Sequence, residues 1–276
     1  MSKTSAPTDL TFSPAVEHLY RSFAAVPFRP HMPRCAHCVS DADVAQLGDD
    51  VRSLAPDLVA RFVTKSGTTW GEAADLRRVA PAALHLAADQ QLPVNRCVVL
   101  HQLAAASWAD WPPHEVDAVL RFLVAEWERL LLVPPRPGAF AHRWLRQTAT
   151  VTDDIEPFLD AWQRGLSQPA GPAAVHLAVL LVNSELRPDF PATVADLFEP
   201  ASVAVATVGS GAGTTFAGDA PSPGRAQRLA TWLAEPSTEA HLVRAASDLA
   251  HTSDARRLTL AVDRLRRFRV AKNRAG

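Results

Sequence analysis

The chain is a succession of apolar stripes at spacings of three and four, cut into helix-sized pieces by proline and capping residues. Val16, Leu19, Tyr20 and Phe23 share one face of a helix over 14–26. Leu58, Val59, Phe62 and Val63 do the same over 55–66. Leu76, Val79, Ala80, Ala83, Leu84 and Ala87 mark the inner face of a helix that follows Thr69. Further helices are predicted over 93–108, 112–132, 138–150, 153–166, 172–186, 225–234, 238–250 and 254–271. Two starts carry explicit chemistry. Ser40 with Asp43 reads as the cap of a short helix ending near Gly48, and Thr69-Trp70-Gly71-Glu72 reads as a capping box. No segment shows the strict alternation of a strand.

Most connections between these pieces run two to six residues, the length that joins antiparallel neighbours. The expectation is an all-α fold, an array of about a dozen short antiparallel helices, built either as a HEAT-like stack of pairs or as an irregular helical bundle. Trp127, Trp144 and Trp162 fall 17 and 18 residues apart, near the length of one helix with its turn, but the flanking residues do not recur. The expected organisation is an N-terminal helix and irregular segment over 1–39 and a main helical domain over 40–200. A Gly/Ala/Pro-rich loop follows over 201–224, and C-terminal helices over 225–276 pack on the same domain.

Composition agrees with this reading. Of 276 residues 49 are Ala, against 12 Gly and one Tyr, which favours helix over sheet. The 22 prolines look discordant until they are placed, because many open helices or fill connections. Net charge is −1, which argues against a nucleic-acid binder held by bulk charge, yet Arg256 to Gly276 carries eight basic residues and one acid, a local balance of +7. There Leu258, Ala261, Val262, Leu265 and Phe268 form an inward stripe. Arg264, Arg266, Arg267 and Arg269 around it are candidates for contact with an acidic partner or nucleic-acid phosphates. The same cations also complement the negative end of a terminal helix.

The longest nearly uninterrupted apolar run, Ala173 to Val182, falls well short of the ~20 residues of a membrane span. The segment MSKTSAPTDL lacks the apolar core of a signal peptide. The expectation is therefore a cytoplasmic protein with no membrane partner.

Candidate chemistry centres on Cys35-Ala36-His37-Cys38. A C-x-x-C turn brings two sulfurs to one side, where they can hold half of a tetrahedral zinc site. Cys97 and His101, four apart on one helical face, would complete a Cys3His set, and His31 and His37 are further ligand candidates. The same pair is alternatively a redox dithiol, which requires a lowered thiol pKa such as a helix N-terminus provides; the Ser40-capped helix follows closely. Cys97 also reads as a small buried hydrophobe.

Cys35 and Cys38 followed by Ser40 and Asp41, then Thr68, Thr69, Trp70 and Gly71 before a Leu-rich helix, resemble the pattern of a family of uncharacterised bacterial cytoplasmic proteins. The resemblance covers residues 30–130 and implies an all-helical fold. It brings no established activity, and Cys97 with His101 lies outside its pattern.

Other motifs fail on chemistry. Gly209 to Thr215 has a phosphate-loop look but lacks the lysine and the glycine spacing, and His114-Glu115 has Ala118 where a second metal-binding imidazole would stand. No G-x-S-x-G occurs. Asp153, Asp154, Glu156 and Asp160 are read as first-turn acids of a helix ahead of any Mg²⁺ role. The resulting expectation is a non-catalytic protein that works by contact with another protein and needs no cofactor. A zinc or redox role for Cys35 and Cys38, and a partner held by the basic C-terminal helix, are the alternatives.

Overall fold

The computed structural model describes residues 11–137, 139–169, 171–183 and 223–275. Among them the chain forms twelve α-helices and no strand. These are α1 (Phe12–Ser22), α2 (Asp41–Gln46), α3 (Pro56–Lys65), α4 (Ala73–Ala88), α5 (Arg96–Ala105), α6 (Pro113–Leu131), α7 (Ala141–Thr148), α8 (Glu156–Leu166), α9 (Pro172–Asn183), α10 (Pro223–Ala234), α11 (Pro236–Asp248) and α12 (Ala255–Ala275). The all-α array expected from the pattern is what forms. It divides into two compact units, Met1–Arg129 and Leu130–Gly276, so the boundary falls inside the 40–200 stretch expected as one domain. Most of the loop expected over 201–224, with the glycine-rich Gly209–Thr215, lies outside the described residues; its last two positions open α10.

In the first unit α4 is central and packs against α1, α3 and α5. The residues that touch are the predicted stripe: Leu76, Val79, Ala80, Ala83 and Leu84 are all buried. Phe122 of α6 meets Phe12 of α1 with ring centroids 5.4 Å apart. Two carboxylates of α6 are buried and each is held by an arginine. Glu115 is gripped by Arg77 at 2.6 and 2.5 Å, and Glu126 by Arg96 at 2.9 Å. A buried carboxylate is tolerated only with such a partner, because it has lost its water.

Helix ends follow local chemistry. Helix α1 starts two residues before Pro14, since a first-turn proline lacks only an N–H that has no intrahelical acceptor. The Ser40–Asp43 capping box opens α2 as expected, with Asp43 N–H on the Ser40 hydroxyl at 3.1 Å and Ser40 N–H on the Asp43 carboxylate at 3.1 Å. The expected Thr69 capping box does not form. Gly71 takes φ +70°, which breaks the helical path, and α4 starts after Glu72, whose N–H donates to the Asp75 carboxylate at 2.9 Å.

In the second unit α9 is the centre. It packs most extensively on α12 and also against α7, α8 and α11. Every residue from Ala173 to Leu181 is buried, so the longest apolar run in the sequence is an all-round core helix. No described helix is long and apolar enough to cross a membrane. Pairing of α9 with α12, and of α1 with α4 in the first unit, joins helices distant in sequence. The irregular bundle, rather than a strictly sequential stack, describes the packing within each unit.

Candidate functional site: the Cys35–Cys38 turn

Residues 26–39 contain no helix, and the prolines within them explain why: Pro27, Pro30 and Pro33 remove three donors and fix three φ angles. The backbone finds its partners instead in the Thr-Thr-Trp-Gly segment. Cys35 N–H donates to Thr69 O at 2.8 Å, Gly71 N–H donates to Pro33 O at 2.7 Å, and Arg34 and Trp70 form an antiparallel bridge. Trp70 is fully buried and stands edge-on to Phe62, 5.3 Å between centroids. The two landmarks of the sequence, C-x-x-C and TTWG, are therefore one structural object. Trp70 anchors it to α3, and Gly71 supplies the left-handed residue that lets the strand-like piece turn into α4.

Beyond the bridge the chain turns sharply. Cys38 N–H and Val39 N–H both donate to Cys35 O at 3.0 Å. A three-residue return of this kind keeps the two Cα atoms within about 7 Å, inside disulfide reach. Cys35 is partly exposed and Cys38 exposed. The Cys38 and His37 backbone N–H groups, then the Cys38 thiol, hold the Cys35 thiol below its ordinary range; Lys65 adds positive charge and slight burial opposes. The Cys38 thiol moves the other way, chiefly because it is hydrogen-bonded to the Cys35 sulfur. Lys65, at the end of α3, is fixed beside the turn by donating from Nζ to Cys38 O at 3.1 Å. Arg34 pairs with Asp41 and Arg61 with Asp43, so the first turn of α2 is clamped to the same region. Sequence reading identified the two cysteines and the α2 cap. It missed Lys65, which lies 27 residues from Cys38 with no motif to connect them.

The other candidates are placed as follows. Cys97 lies in the first turn of α5, its N–H capped by Asn95 at 3.0 Å, and burial raises its thiol pKa. His101, a turn further on, is lowered by burial. Among the described residues no three His, Cys, Asp or Glu side chains gather where they could hold a metal ion, so Cys35, Cys38, Cys97 and His101 do not assemble as a Cys3His site. The helical spacing of Cys97 and His101 is real, but it sets one face of α5 and says nothing of distance to Cys35.

Much of the C-terminal arginine cluster is used inside the second unit. Arg264 donates to Leu181 O and Val182 O at 2.9 and 2.7 Å, satisfying carbonyls at the end of α9. Arg266 and Arg269 both bind Glu239 of α11 and hold its carboxyl below the usual range; Arg267 is exposed. Compared with family models, curated proteins and solved structures, the chain finds no match in any of the three.

Proposed function

We propose that this protein acts on another protein by thiol–disulfide exchange at the Cys35–Cys38 turn, the helical array serving as the rigid mount. One observation carries the reading: Cys35 and Cys38 stand at the two ends of one tight, accessible turn, closed by the Cys38 N–H on Cys35 O at 3.0 Å, with the Lys65 ammonium fixed beside it. Cys35 is the attacking group and Cys38 the resolving one. The Cys35 thiolate attacks one sulfur of a partner's disulfide, forming a mixed disulfide and releasing the partner's other sulfur as a thiolate. Cys38, after losing its proton to solvent, attacks the Cys35 sulfur and releases the second partner thiolate. Two electrons pass to the partner, which leaves as a dithiol, and this chain keeps the Cys35–Cys38 disulfide; the reverse sequence oxidises a partner dithiol. A reducing cytoplasm suits the dithiol form.

The expected contact with another protein is retained in this reading, with a stated chemistry. A metal site has less support, since only two of its ligands are gathered. The test is the pH profile of alkylation followed site by site by mass spectrometry, with disulfide formation in glutathione buffers. Cys35 should alkylate first and at a pH below the ordinary thiol range, and Cys38→Ser should trap a mixed disulfide. Identical profiles for the two cysteines, or failure of the disulfide to form in oxidising buffer, would refute the proposal.

A further inference from the structure

Two thiolates make only half of a tetrahedral zinc site, and the fold supplies no other half. Among the described residues no third His, Cys, Asp or Glu joins Cys35 and Cys38. His37 stands between them in sequence, yet it is exposed and belongs to no such group. For a soft monovalent ion the same two donors are a full complement. Copper(I) has a filled d shell, prefers polarisable sulfur to nitrogen or oxygen, and takes two thiolates in a line. Zinc carries twice the charge and takes four donors in a structural site.

Three features of the turn fit the smaller donor count. First, the sulfurs already meet. The Cys38 N–H closes the turn on Cys35 O at 3.0 Å, and the Cys38 thiol is hydrogen-bonded to the Cys35 sulfur. An ion that replaces the proton between them finds both donors in place. Second, the surroundings suit the charge of the product. Copper(I) with two thiolates carries a net −1, so it is stabilised by donors and cations around it. The Cys38 and His37 backbone N–H groups donate to the Cys35 sulfur, and Lys65 Nζ is fixed beside the pair by its bond to Cys38 O at 3.1 Å. Nearby cations are neutralised within the fold: Arg29 by Glu72, Arg34 by Asp41 and Arg61 by Asp43. Lys65 has no carboxylate partner among the described residues, so its charge remains for an anion at the turn. Third, the pair is accessible and firmly mounted. Cys38 is exposed and Cys35 partly so, while the Cys35 N–H is tied to Thr69 O at 2.8 Å beside the buried Trp70. Little has to be reorganised on binding.

We propose that the reduced Cys35–Cys38 turn is a two-coordinate copper(I) site, with Lys65 balancing the charge of the bis-thiolate complex. Both thiol protons leave to solvent as the two Cu–S bonds form, so no electron moves and the copper stays monovalent. This site goes beyond thiol–disulfide exchange and needs only the reduced pair. The two uses exclude each other, because a disulfide offers no thiolate to the ion.

The experiment is anaerobic titration of the reduced full chain with copper(I) buffered by bathocuproine disulfonate, whose coloured complex reports the copper it keeps. One copper per chain is expected, with two sulfur neighbours and no nitrogen by X-ray absorption. Cys35→Ser and Cys38→Ser should each abolish binding with circular dichroism unchanged, since both positions lie outside the core; Cys97→Ser should bind as the parent does. Lys65→Met should weaken binding about tenfold and Lys65→Arg should recover most of it. Copper retained by either serine variant at position 35 or 38, a sulfur count of three or four, or an unchanged affinity in Lys65→Met would overturn the proposal. So would zinc(II) that displaces copper(I) at equal concentration, or no copper held at all. The exchange reaction fails separately: identical alkylation profiles for the two thiols would remove it and leave copper binding as expected.

Discussion

His176 offers the sharpest test of how the second unit is held together. It is completely buried on the central helix α9 and bonds at both ring nitrogens. Nδ1 accepts the Ala141 N–H, at the first residue of α7, at 3.3 Å, and Nε2–H donates to Val133 O, just past the end of α6, at 3.0 Å. One imidazole thus answers a helix N-terminal donor and a carbonyl beyond a helix C-terminus, groups that no intrahelical partner serves. Replacing it by Leu keeps an apolar body of similar size and removes both bonds. Ala141 is 1% exposed, so its N–H is left without water; a stranded buried donor costs about 1–3 kcal/mol. Val133 is partly exposed and its carbonyl recovers some hydration, adding about 1 kcal/mol. The expected loss is about 2–4 kcal/mol, or roughly 5–12 °C in Tm for a domain of this size. Urea unfolding followed by tryptophan fluorescence, with calorimetry for Tm, reads it directly. If His176→Leu is as stable as the parent, the buried imidazole does not join α7 and the end of α6 to α9.

The same geometry sets a pH dependence. Burial depresses the His176 pKa, and that of His142 falls to about 4 for the same reason, from an ordinary 6.5. The unfolded chain therefore takes up protons first, so stability is complete above pH 6.5 and declines as pH falls from there toward 4; a flat profile of unfolding midpoint over that window would contradict it. Glu115→Ala strands the Arg77 guanidinium, but Arg77 is about a third exposed and partly rehydrates, so the loss measured by chemical denaturation should be ~2–3 kcal/mol, below that of a fully buried pair. Gly71→Ala forces a side chain into φ +70° and brings its Cβ to 3.0 Å from the Phe62 ring, so it should destabilise by more than about 1 kcal/mol and perturb Cys35 alkylation, because Gly71 ties the turn to Pro33.

The helical inventory was legible in the pattern because the period of burial along a helix is written in consecutive residues. The α2 cap was legible for the same reason: Ser40 and Asp43 are three apart and need nothing else. The α4 start was misread because the Thr69–Glu72 spacing fits a capping box equally well. What excluded it was Gly71 in the left-handed region and the Thr69 carbonyl engaged by Cys35, a partner 34 residues away. The basic cluster shows the same limit. Eight cations near the chain end are visible to any reader, but that Arg264 serves α9 and that Arg266 and Arg269 serve Glu239 depends on which helices touch.

By itself, then, the sequence determined the class of element, the approximate place of most helices and the positions of the two thiols, all of which rest on interactions within a few residues. Tertiary structure alone decided the rest: that TTWG is the bridge partner of the C-x-x-C turn, that Lys65 stands beside Cys38, and that Cys97 and His101 stay apart from it. It also decided that Asp153 pairs with Arg225 and that Asp154 closes a local turn on the Glu156 N–H. The physical reason is common to all of them. Charge, hydrogen bonding and desolvation act through space over a few ångströms, and only the packed chain says which residues are that close.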